Sequence, residues 1–156
     1  MKAALTPCAG KCSTVFGDSV CRGCRRFSHE VINWNAYTLQ EQQSIWQRLD
    51  SQLDQILLPL VSVEDEQALE MFLTSQLVRL PEHASQGRKI YHALRICQRK
   101  PDCLERSGLK ILPAHLQKIW RLFEQRIYSL AIASFEMAWL RAAQFRDEET
   151  EANSSF

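Results

Sequence analysis

Apolar residues recur at helical spacing in several separate stretches of this chain, and no stretch alternates as a strand would. The clearest begins at Thr38-Leu39-Gln40-Glu41, a capping box in which the hydroxyl serves an orphan N–H and the carboxylate reaches back. At about 100° per residue, Leu39, Ile45, Trp46, Leu49, Leu53, Ile56 and Leu57 fall within an arc of about 120°, so a helix with one core-facing side is predicted up to Pro59. A second is predicted from Ser62, with Asp65 as cap partner and a stripe of Leu69, Phe72, Leu73, Leu77 and Leu80 before Pro81. A third, Ser85 to Arg99, turns Ile90, Leu94 and Cys97 to one face, and Pro101 to Gly108 adds a short turn. A last helix, Ala114 to Gln144, carries Leu116, Ile119, Trp120, Phe123, Ile127, Leu130 and Ala131, after which apolar residues spread all round it. A helix apolar on every side must be covered on every side: it is either the centre of a bundle or its end meets another subunit.

The expected fold is all-α, a bundle of about four to five helices onto which an N-terminal cysteine-rich metal loop packs. Residues 1–58 form the loop and first long helix, with a short helix from Ser28 to Asn35; residues 59–144 form the bundle region; the acidic tail 145–156 reads as disordered. The length, 156 residues, suits one domain with at most a small appendage. Hydrophobic residues at 46% and charged residues at 24% exclude wholesale disorder and a collagen-like repeat. Nineteen basic against 18 acidic residues leave +1, which points neither to a general nucleic-acid binder nor to an enzyme for acidic substrates.

Compartment decides what cysteine means here. After Met1 and Lys2 there is no apolar run of the roughly 7–15 residues that a secretory leader needs, so the chain is read as cytoplasmic, where thiols stay reduced. Tyr128 to Ala143, the longest apolar stretch, is interrupted by Glu136 and Arg141 and is too short and too charged for a membrane span.

Of the six cysteines, four lie within the first 24 residues. Cys8-x3-Cys12 and Cys21-x2-Cys24 are two pairs separated by eight residues, close enough for four sulfurs to converge on one point. That geometry suits a tetrahedral tetrathiolate or an iron–sulfur cluster with one thiolate per iron, and spacing alone does not choose between zinc and iron–sulfur. Gly10 and Gly23 allow tight turns that aim N–H groups at sulfur. Lys11, Arg22, Arg25 and Arg26 stand among the ligands against Asp18 alone, and cations beside thiolates favour the ligating form. Two disulfides or unrelated thiols are the competing account, which spacing and compartment disfavour.

The run Cys8-x3-Cys12-x8-Cys21-x-Gly23-Cys24-x-Arg26-x3-Glu30-Val31-x2-Trp34-x3-Thr38-x2-Glu41 resembles the bacterial family catalogued as domain of unknown function 1289, whose members are often labelled predicted iron–sulfur proteins. The resemblance covers about residues 7 to 50. It implies that Cys8, Cys12, Cys21 and Cys24 are the metal ligands, tips the metal toward an iron–sulfur cluster over zinc, and brings no assigned reaction. This chain departs from the family at Phe27, where Thr or Ser is usual. Phe27 cannot cap, so Ser28 is expected to take over with a shifted helix start, which puts the part played by Glu30 in question.

Weaker signals are read conservatively. Cys97 shares the face of Ile90 and Leu94 and, with Cys103, reads as a small buried hydrophobe rather than a second ligand site. His83, His92 and His115 lack metal-ligand spacing; His29, five residues past Cys24, reads as a solvated helix-start residue, with a hydrogen bond to a ligating sulfur or a place in the ligand set as the alternatives. Trp34 and Trp46 read as apolar anchors docking the loop on the first long helix, and Glu136 as a solvated edge. From Arg88 to Arg126 ten basic residues face Asp102, Glu105 and Glu124, a local +7 read as a solvated face, with phosphate-following on nucleic acid as the alternative.

No nucleophile with its base and no carboxylate pair accompanies the cysteines, so the preferred reading is an iron–sulfur or zinc protein acting as an electron-transfer or adaptor module for a protein partner. A nucleic-acid accessory protein with a structural metal loop, and a dithiol redox enzyme using Cys21 and Cys24, are the alternatives; oligomeric state stays open.

Overall fold

A computed structural model describes residues 5–154. Its five α-helices are α1 (Ser28–Asn33), α2 (Leu39–Leu57), α3 (Glu66–Ser75), α4 (Gln86–Arg99) and α5 (Leu116–Ser154), with a two-stranded antiparallel ribbon of β1 (Ser62–Val63) and β2 (Leu109–Lys110). The fold is all-α apart from that ribbon, as the sequence pattern implies.

The capping box of α2 is formed in both directions: Thr38 N–H donates to Glu41 Oε2 at 2.7 Å and Glu41 N–H to Thr38 Oγ1 at 3.2 Å. Of the expected stripe, Ile45, Leu49, Leu53 and Leu57 are buried, whereas Leu39 is 79% exposed. Leu53 and Leu57 meet Leu69, Phe72 and Leu73 of α3, Ile90, Leu94 and Cys97 of α4, and Leu116, Phe123 and Ile127 of α5 in one core.

α4 is tied to α2 by more than apolar contact. Asp50 Oδ2 accepts from Ser85 N–H at 3.1 Å, Asp54 Oδ1 from Gly87 N–H at 2.7 Å, and Asp50 Oδ1 from Arg88 Nε at 2.7 Å. Two carboxylates of α2 therefore sit on the positive end of α4, satisfying N–H groups that a helix start leaves open. The helices approach so closely that a Cβ on Gly87 would lie 2.7 Å from the backbone nitrogen of Asp54.

Three elements differ from the sequence pattern. Ser62 does not start a helix: Ser62 and Val63 pair with Lys110 and Leu109, and Asp65 caps α3 by accepting from Ala68 N–H at 3.0 Å. α3 stops at Ser75, where Leu77 takes a left-handed φ of 57° and Val78 N–H closes onto Leu73 carbonyl oxygen. α5 runs on to Ser154 through the segment that composition marks as a disordered tail. Arg146, Glu148, Glu149, Glu151 and Ala152 there are strong helix formers, and Thr150 Oγ1 donates back to Arg146 carbonyl oxygen at 2.8 Å. Nor is α5 central along its whole length: its buried residues end at Ala131, and Met137, Trp139, Leu140 and Phe145 are each more than half exposed.

Candidate functional site

The cysteine loop is built around a tight turn. Val20 and Phe27 face each other in an isolated antiparallel bridge; inside it Cys21 N–H donates to Arg26 carbonyl oxygen at 2.9 Å and Arg25 N–H to Cys21 carbonyl oxygen at 2.7 Å. Closing this turn requires Arg25 to adopt φ 65°, a left-handed conformation uncommon for a side chain of this size. The result places Cys21 and Cys24 together in the interior, 1% and 2% exposed. Cys21 Sγ lies 3.6 Å from Lys11 carbonyl oxygen, on the segment that carries Cys8 and Cys12. The Cys24 side chain beside it, with backbone N–H groups of Cys24, Ser13 and Gly23 helping, draws Cys21 down against the cost of burial, while Cys21 and burial push Cys24 up.

The segment carrying Cys8 and Cys12 lies across this turn. A Cβ on Gly23 would meet Lys11 carbonyl oxygen at 2.6 Å, so only glycine lets the two strands of the loop come so close. Arg95 of α4 holds the same segment by donating from Nη2 to Ala9 carbonyl oxygen at 2.8 Å. Gly10 N–H points at Cys8 Sγ, 3.4 Å away, and Cys12 Sγ lies 2.9 Å from Thr14 Oγ1. Cys8 is exposed and Cys12 partly so; all six cysteines are free thiols. Among the described residues no group of three or more His, Cys, Asp or Glu side chains is gathered into a metal site. The structure thus brings Cys21 and Cys24 together and leaves Cys8 and Cys12 on the covering segment. In donor chemistry the four residues fit a soft, thiolate-bound metal: sulfur only, with N–H donors and guanidinium groups around it.

Basic residues of the loop are fixed by aromatic and acidic partners. Arg26 Nε donates to Cys24 Sγ at 3.3 Å while its guanidinium lies 4.9 Å from the Trp34 ring centre, so Trp34 positions the cation that supports the sulfur. Trp34 belongs to a cluster with Ile45 and Leu49 of α2, against which Trp46 packs, in keeping with both tryptophans docking the loop. Arg22 lies over Tyr128 of α5 at 4.2 Å and Arg25 over Tyr91 of α4 at 4.9 Å.

At Phe27 the expected shift of the helix start does not occur. Phe27 is itself the residue before α1, and Glu30 Oε1 accepts its N–H at 2.8 Å, the reach-back half of a capping box without the hydroxyl half. Glu30 is also gripped by Arg48 of α2, at 2.5 Å from Nη2 and 2.7 Å from Nη1, and the Arg48 guanidinium covers the Phe27 ring at 4.0 Å. Sequence reasoning missed Arg48, whose partner lies 18 positions away; a lone basic residue on the flank of the α2 stripe was its only signal.

The remaining candidates fall as follows. His29, His83, His115 and Glu136 are exposed. Cys97 and Cys103 are in the core, 0% and 6% exposed, and burial pushes the Cys97 thiol up to about 11. His92 is half-buried and is held down at about 4 by burial and by Arg88, Arg95 and Arg25. The basic block is less of a surface than its count implies: Arg88 is 2% exposed and paired with Asp50, and Lys89 pairs with Glu70. No helix of the described residues is long and apolar enough to cross a membrane.

Residues 6–53 match the family model described as "Protein of unknown function (DUF1289)", which agrees with the resemblance drawn from the cysteine spacing and the Thr38 capping box. No curated protein and no solved structure matches the chain.

Proposed function

We propose that Cys8, Cys12, Cys21 and Cys24 together hold one metal centre, an iron–sulfur cluster or zinc, and that the protein serves a protein partner as an electron-transfer or adaptor module. The observation that carries this reading is the buried Cys21–Cys24 pair, with the Lys11 carbonyl closing on the Cys21 sulfur and Arg26 on the Cys24 sulfur. Neutral thiols bury readily, but the Arg25 and Arg26 guanidinium groups buried beside them are costly without an anion, which thiolates supply. Cys8 and Cys12 lie on the segment that Gly23 and Arg95 hold against that pair, so residues 8–12 are the part of the chain that would move to close a four-sulfur set. The bound centre would supply either a one-electron couple or a rigid cross-link.

Burial argues against a dithiol enzyme. A protein disulfide substrate must approach the attacking sulfur in line, and Cys21 and Cys24 at 1% and 2% exposure offer no such path. Four thiolates on a doubly positive centre leave −2, which Lys11, Arg22, Arg25 and Arg26 are placed to offset.

Iron and zinc analysis with a visible spectrum, on protein prepared without oxygen, tests the reading. One centre per chain is expected, abolished by Cys21→Ser. Metal-free protein whose residues 20–27 are nonetheless fully protected from amide exchange would overturn it.

A further inference from the structure

A cleft of about 650 Å³ opens between the cysteine loop, α4 and α5. Lys11, Arg22 and Arg25 line it from the loop and Arg95 and Arg99 from α4; Glu124 is the one acidic residue on its wall. Five cations against one carboxylate, drawn from segments far apart in sequence, form a focused positive field. Lys11, Arg22 and Arg25 also stand among the cysteines, but Arg95 and Arg99 come from α4, outside the metal loop, so the cleft's charge exceeds the loop's own support.

Arg25 is the telling residue. It is 4% exposed, its Nη1 donates to Gly23 carbonyl oxygen at 2.7 Å, and its Nη2 has no hydrogen-bond partner. A buried N–H left idle is costly, more so on a charged group, and Arg25 is held there in a left-handed backbone conformation as well. Strain and an unspent donor at the same residue, facing a cationic cleft, point to an anion. A planar guanidinium suits phosphate, whose oxygens it meets two at a time.

The shape narrows the class. The cations converge on a concavity rather than running along a face, so a duplex cannot follow them, whereas a small phosphorylated molecule fits in the volume. Cations on both sides of the space match charge spread over two linked phosphates better than a single phosphate. Guanidinium groups already cover Tyr91 and Tyr128; of the wall's two rings without such a cover, Phe123 is buried and Trp120 is half-buried against it. We propose that this cleft binds a small molecule bearing a diphosphate, with Arg25 and Arg95 on the phosphate oxygens and Trp120 beside the rest of the ligand.

The test is calorimetric titration of the full-length protein with inorganic pyrophosphate, ADP, inorganic phosphate and a single-stranded oligonucleotide of ten thymidines, with tryptophan fluorescence followed in parallel. Saturable binding of pyrophosphate or ADP is expected, with phosphate at least about tenfold weaker. ADP tighter than pyrophosphate assigns a nucleotide, and equal affinities assign free diphosphate. Arg99→Gln, on the exposed part of α4, and Arg95→Gln should each weaken binding about tenfold at unchanged helicity. Trp120→Phe should remove the ADP-dependent fluorescence change while heat is still released. Equal binding of phosphate and pyrophosphate, binding of the oligonucleotide alone, or full affinity in both arginine variants would overturn the proposal.

Discussion

Arg48 on α2 holds Glu30 on α1 by two hydrogen bonds, 2.5 and 2.7 Å, while its guanidinium covers Phe27, the residue whose N–H the same Glu30 accepts. One carboxylate thus ends the cysteine turn, starts α1 and ties both to the first long helix. Glu30 is buried and Arg48 is about a quarter exposed, 6% and 26% by side chain. Arg48→Ala should therefore lower the urea midpoint by the equivalent of about 2 kcal/mol, between the values for surface and fully buried pairs. Glu30→Gln, which keeps the cap but loses the charge, should cost less. Equal stability of Arg48→Ala and wild type would remove this role.

Gly23→Ala tests the closeness of the loop's two strands. The added methyl would sit 2.6 Å from Lys11 carbonyl oxygen, which is backbone and cannot swing aside. Metal retained through gel filtration should fall several-fold while helicity is unchanged, since α2 to α5 do not depend on this contact. Full retention of metal would show that residues 8–12 need not lie against the turn.

Legibility of the chain tracks how local each signal is. The α2 cap, Thr38 with Glu41, is a four-residue pattern and is formed as read. The start of α3 was misread because Ser62 and Asp65 carry the same local pattern, and what decides between them is pairing with Leu109 and Lys110, nearly 50 positions on. Arg88 counted as surface charge in the sequence; only the approach of α2 makes it a buried partner of Asp50. In the candidate site the buried Cys21–Cys24 pair and the turn at Gly10 were legible from spacing, whereas Gly23 serves the close approach of Lys11 rather than a turn. The left-handed Arg25 and the cleft it faces were not, because a non-glycine residue at positive φ has no sequence mark.

His92 makes stability depend on pH. Its folded-state value of about 4 lies below the ordinary 6.5, so between those values the unfolded chain binds more protons and stability falls as pH drops from 6.5 toward 4. The loss is at most about 3 kcal/mol. Urea unfolding at pH 6.5 and 4.5 should show a smaller difference for His92→Gln than for wild type, because carboxylate effects are common to both. Identical differences would mean His92 titrates normally.

Thiol reactivity should divide by burial. In chelator-treated protein, iodoacetamide followed by mass spectrometry should label exposed Cys8 first and leave Cys97 and Cys103, at 0% and 6% exposure, until unfolding. Cys97, pushed up to about 11, is also almost entirely protonated at neutral pH. Restoring metal should protect Cys8 and Cys12 as well. Early labelling of Cys97 would contradict its place in the core.

X-ray absorption at the metal edge, on protein isolated with its native metal, counts the neighbours of the centre most directly. The account predicts four sulfur neighbours, at about 2.3 Å if the metal is zinc, falling to three in Cys8→Ser. Two sulfurs with nitrogen or oxygen completing the shell, unchanged in Cys8→Ser, would contradict it, because Cys21 and Cys24 would then bind metal without the segment that lies across them.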